Sequence, residues 1–69
     1  MSNSTEKFLK NLEKVVIGKM GAIERKEIFP QDSGIGVQLN RIKLLDQACY
    51  DTLVKKYKLI LKTLQDEQS

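Results

Sequence analysis

Sixty-nine residues allow one domain and only a marginal core, because so short a chain often needs a disulfide, a metal or a partner chain to add stability. One cysteine, Cys49, and no histidine exclude an internal disulfide and argue against structural zinc, which takes four Cys or His ligands. Twelve Lys and Arg against nine Asp and Glu give a net charge of +3, a mild excess that permits an acidic partner without demanding one.

The start, Met1 to Glu6, is polar and has no basic segment leading into an apolar stretch. No run approaches the roughly 20 apolar residues that cross a bilayer. A soluble, cytoplasmic chain with no membrane contact is expected. The lone Cys on an apolar stripe agrees with a reducing compartment.

In chain order, Asn3 with Glu6 three residues on forms a possible capping pair, and Ser4 or Thr5 would serve as well. Phe8, Leu9, Leu12, Val15, Val16, Met20 and Ile23 then recur at steps that suit one helix face, which predicts a helix over about 5–27. Gly18 and Gly21 sit in its middle, and each costs about 1 kcal/mol relative to Ala. Either the helix continues and the glycines let a partner helix approach, or it stops near Lys19 and a short helix covers 22–28. The continuous helix is the expectation.

Residues 28–36 are the clear break. Pro30 disfavours helical geometry at Phe29, and Asp32, Ser33, Gly34 and Gly36 are turn and cap formers. Ile28, Phe29 and Ile35 are expected to fold the ends of this loop onto the core. From Val37 to about Leu64 there is no Gly or Pro, and Leu39, Ile42, Leu45, Cys49, Leu53, Tyr57, Ile60 and Leu64 keep helical spacing. One helix over about 37–65 is predicted, roughly 40 Å long. The fold class is all-α: an antiparallel helical hairpin in a single domain, 1–69.

The apolar face of the second helix broadens toward its end. Cys49, Leu53, Ile60 and Leu64 form one stripe, and Tyr50, Val54, Tyr57, Leu61 and Leu64 another. One antiparallel helix covers a single stripe. The second stripe therefore implies another neighbour, most simply a second copy of the chain in a homodimeric four-helix bundle. These residues are the expected oligomer interface, and Leu53→Asp or Tyr57→Asp is expected to disrupt it.

Two polar features are candidate contacts for nucleic acid or an anion. Lys55, Lys58 and Lys62 share one helix face, where they can meet phosphates or simply be solvated. Gln38, Asn40, Arg41 and Lys43 carry residue types that read bases, although a nine-residue loop is too long for a helix–turn–helix. The segment through Ser33, Gly34 and Gly36 leads into a helix N-terminus, where free N–H groups attract anions. It lacks the Lys-Ser/Thr pair of a phosphate-binding loop. Catalysis has no support: there is no His, and no nucleophile lies at a useful spacing from a base. Asp46 is expected at the edge of the apolar stripe; the alternative is a buried polar residue that sets register.

These features point to a non-enzymatic helical interaction protein. It is expected to be homo-oligomeric and to regulate or inhibit a protein partner, as a small phage- or plasmid-type accessory protein would. The alternatives are a nucleic-acid-binding module or a binder of a small phosphate-bearing ligand at the loop. No cofactor and no metal are expected.

Overall fold

The computed structural model describes residues 3–68, with side chains for 4–67. Every element is helical: α1 Asn3–Glu24, α2 Pro30–Ser33, α3 Ile35–Leu45 and α4 Gln47–Gln68. No strand occurs among the described residues. The all-α expectation holds.

Helix α1 continues through both glycines. It already contains Asn3, Ser4 and Thr5, so its cap falls outside the described residues. It ends three residues earlier than the spacing suggests, in a compact C-terminal motif. Glu27 N–H donates to Ala22 O at 2.9 Å and Lys26 N–H to Ile23 O at 3.0 Å. This is the paired pattern that closes a helix around a left-handed residue, a position usually held by glycine. Here Lys26 takes it, with φ 64°.

The loop is more structured than its composition suggests. Pro30 opens the short helix α2, where its missing N–H costs nothing. Gly34, with φ 67°, ends α2 and leads directly into α3. Ser33 is the buried polar side chain of the described region. Its hydroxyl donates to Pro30 O at 2.7 Å and accepts from Ile35 N–H at 3.2 Å.

The single helix expected over 37–65 is two helices. Asp46 between them is extended, with φ −157° and ψ 101°. Its carboxylate accepts from Cys49 N–H at 3.1 Å, the bond an N-cap makes to the first turn. The apolar period cannot reveal this break, because the steps Ile42–Leu45–Cys49–Leu53 stay helical across it. Asp46 closes α3 and caps α4.

Three contacts fix the helix directions. Lys19 Nζ donates to Gln38 Oε1 at 2.9 Å. Cys49, in the first turn of α4, lies against Glu13. Lys26 Nζ lies 3.5 Å from Glu67 Oε1. From Gln38 to Cys49 the chain therefore moves back along α1, and from Cys49 to Glu67 it moves forward again. α3 runs antiparallel to α1, as a hairpin would, but α4 then returns parallel to α1. The chain is three principal helices, up, down and up, with extents of 48 × 20 × 14 Å.

The core lies between them. Leu12, Val16, Met20 and Ile23 of α1 meet Ile35, Leu39 and Ile42 of α3, and Leu53 and Ile60 of α4. Burying each such side chain stabilises by about 1.5–3 kcal/mol. Much of the apolar face of 37–65 is covered inside one chain, because α3 and α4 fold against each other and against α1.

Neither mid-helix glycine serves this packing. A Cβ on Gly18 would meet nothing within 4 Å, and one on Gly21 would meet only the Arg25 guanidinium, at 3.0 Å.

Candidate functional site

A concave feature lies where α1 ends, the loop crosses and α4 runs out. It is a groove of about 370 Å³. Ile23, Leu61 and Leu64 form its walls, and Ile28, Phe29 and Pro30 form one side. Lys26, Glu27 and Gln65 complete the lining.

Local sequence builds it. The motif around Lys26 turns the chain sharply out of α1. Pro30 holds Phe29 extended, at φ −78° and ψ 144°. This geometry leaves Phe29 68% exposed and Ile28 36% exposed. Of the three residues expected to fold back on the core, only Ile35 does so, at 3%. Phe29 cannot, because α2 begins at the next residue and carries the chain inward through Ser33 instead.

Charged pairs flank the apolar floor. Arg25 grips the Glu27 carboxylate with two bonds, Nε at 2.7 Å and Nη2 at 3.2 Å. That bond and the adjacent positive charge hold Glu27 below its ordinary value. The Lys26–Glu67 pair spans from the loop to the end of α4. Both pairs are largely solvated and add little stability.

The residues expected at an oligomer interface separate into two groups. Leu53 and Ile60 are buried within the chain. Cys49, Tyr50, Val54, Tyr57 and Leu64 are half-buried and pack against the core. Leu61 is half-buried and lines the groove. Thus Leu53 and Ile60 are spent internally, and the flank through Tyr50, Val54, Tyr57, Leu61 and Leu64 stays partly open. An aspartate at Leu53 would disrupt the core itself and so cannot report on association.

Burial pushes the Cys49 thiol up, aided by the neighbouring Glu13 and Asp46 charges. The thiolate, the reactive form, is disfavoured. Burial likewise raises Tyr57.

The candidate polar contacts are divided between two helices. Lys55, Lys58 and Lys62 are exposed on α4, whereas Asn40, Arg41 and Lys43 are exposed on α3. Asn40 and Lys43 border a shallow hollow with Leu44 and Gln47. Lys43 Nζ lies 5.4 Å from the Tyr50 ring centre, a cation–π contact.

At the loop, Gly34 and Gly36 are exposed, but the Ser33 hydroxyl is committed to Pro30 and Ile35. Val37 N–H donates to Gly34 O at 3.1 Å. Two of the first N–H groups of α3 are thus engaged, which weakens an anion site there. Among the described residues no cluster of His, Cys, Asp and Glu suits a metal ion, and no helix is long and apolar enough to cross a membrane.

Sequence reasoning noted Ile28 and Phe29 but gave them the wrong side of the surface. The signal was present: a large apolar pair directly before Pro, whose fixed geometry holds the preceding residue extended.

Comparison of the chain with protein-family models, with curated proteins and with solved structures finds no match.

Proposed function

We propose that the chain is a non-enzymatic helical interaction protein that self-associates and acts by engaging a protein partner. The observation that carries this reading is excess surface. A compact monomer of 7.9 kDa would expose about 4,400 Å². This chain exposes 5131 Å². The difference, about 700 Å², is close to the roughly 800 Å² that each partner buries in a standard interface. The radius of gyration, 12.8 Å, also exceeds the roughly 11 Å of a compact chain of this length.

The exposed surface has the right character. Phe8, Val15, Ile17, Phe29, Val37, Leu44 and Leu59 are large apolar side chains facing solvent. Scattered single residues of this kind are ordinary, but Phe29 adjoins an apolar concavity, the usual mark of a binding surface. Because each chain supplies three principal helices, a dimer would hold six rather than four.

Native mass spectrometry of the gently purified chain tests the reading. A clean multiple of 7.9 kDa is expected. A single-chain mass at every concentration would refute self-association.

A further inference from the structure

We propose that the groove at the end of α1 and α4 receives a second copy of this chain across a two-fold axis, each Phe29 ring seating against Leu61 and Leu64 of the other. This rests on the self-association proposed above and locates it.

Two features select a second copy over a foreign partner. The first is shape. A protruding apolar side chain, Phe29, and an apolar groove occupy one patch. A two-fold contact needs such a patch, since the same surface on both subunits must complement itself. The aromatic ring is also the kind of rigid anchor that dominates interface energetics.

The second is charge. The groove's surroundings carry Arg25 and Lys26 beside Glu27 and Glu67, paired within the chain. A strongly acidic or strongly basic partner would meet like charge on half of this rim. A second copy presents the same mixed set, so the pairs can be exchanged between chains without leaving a charge unmatched.

The groove is where the exposed Ile28 and Phe29 meet a largely apolar hollow. The other hollow, near Leu44, is bordered by Asn40, Lys43 and Gln47. Leu44 is therefore a control on a different face, 87% exposed.

The test compares Phe29→Asp, Phe29→Ala and Leu44→Asp with the parent chain, by native mass and sedimentation across a dilution series. Circular dichroism checks that each variant remains helical. Phe29 is exposed and lies outside the core, so both of its variants should fold. The expected result is that Phe29→Asp runs as a single chain and Phe29→Ala dimerises at least about tenfold more weakly. Leu44→Asp should match the parent. If the parent dimerises and the folded Phe29 variants dimerise equally well, the location is wrong while self-association stands. If Leu44→Asp dissociates the dimer instead, the interface is the outer face of α3. A parent that stays monomeric throughout overturns both proposals.

Discussion

Replacing Asp46 by Ala probes the point on which the three-helix arrangement turns. The side chain contributes one bond, Oδ1 to Cys49 N–H at 3.1 Å, at the first turn of a 22-residue helix. Losing such a cap costs about 1 kcal/mol. Losing the negative charge at the helix N-terminus adds about 0.3–1 kcal/mol. A chain of 69 residues has a total stability of about 3–10 kcal/mol, so the expected loss of about 1–2 kcal/mol is a substantial share of it. It should lower the midpoint of thermal unfolding by about 4–8 °C per kcal/mol. Asp46→Asn keeps the accepting oxygen, and asparagine caps about as well as aspartate. It should lose only the charge contribution.

Ala is also the best helix former, so it favours a straight helix over 35–68, about 50 Å long. The Ala variant should therefore populate a more extended form than the parent. Urea unfolding followed by circular dichroism gives the energies, and small-angle scattering gives the dimensions. An Ala variant as stable and as compact as the parent would refute the assignment of Asp46 as the corner. So would an Asn variant that is as damaged as Ala.

Other substitutions carry definite signs. Gly18→Ala should stabilise by about 1 kcal/mol in urea, because its Cβ meets open space; a loss of stability or of self-association would mean that another chain packs closely on α1 there. Gly34 and Lys26 share the left-handed conformation, so they should respond oppositely. Gly34→Ala should cost about 1–2 kcal/mol, whereas Lys26→Gly relieves a similar strain against an entropic cost of about 0.5–1 kcal/mol; equal signs in denaturation would contradict the two geometries. Burial raises Tyr57 above its ordinary 10.0, so its contribution is complete below that value and is lost as pH rises through the higher folded value. Tyr57→Phe should flatten the loss of stability in urea midpoints taken from about pH 8 to about pH 11, leaving the part due to Cys49, whose ordinary value is 9.0.

Helical character was legible from spacing alone. Val16, Met20 and Ile23, and later Leu39 and Ile42, fall three or four residues apart and form part of the core. The continuity of α1 through Gly18 and Gly21 was legible too, since three flanking turns keep the apolar period. The corner at Asp46 was not. The period stays in phase across it, so Asp46 read as a polar residue beside one continuous stripe and not as a cap. That one omission changed the topology. With α3 and α4 read as one rod, Leu53 and Ile60 seemed to lack cover and appeared as an interface. With the rod folded at Asp46, they are core. The second stripe survived because Tyr50, Val54 and Leu61 sit on the flank of α4, a face that neither α1 nor α3 fully covers. The groove was hidden for a different reason. It depends on how three chain segments meet, and spacing within any one of them does not show this.

Length explains why a chain with its own core still leaves so much open. Three helices are the smallest set that can enclose a row of side chains, but here they are unequal. α3 has 11 residues, while α1 and α4 have 22 each. Cys49 lies beside Glu13, so the first turns of α1 run past the start of α4. At the other end, α3 begins only at Ile35, after the loop and α2, and so does not reach alongside the last turns of α4. There the enclosure is two helices and a loop. Two helices cover one face of each other and leave the flanks bare, which is why the groove opens beside Leu61 and Leu64. Lengthening α3 would close it and remove the proposed docking site. The short middle helix thus accounts for both the small core and the apolar surface left open beside Leu61 and Leu64.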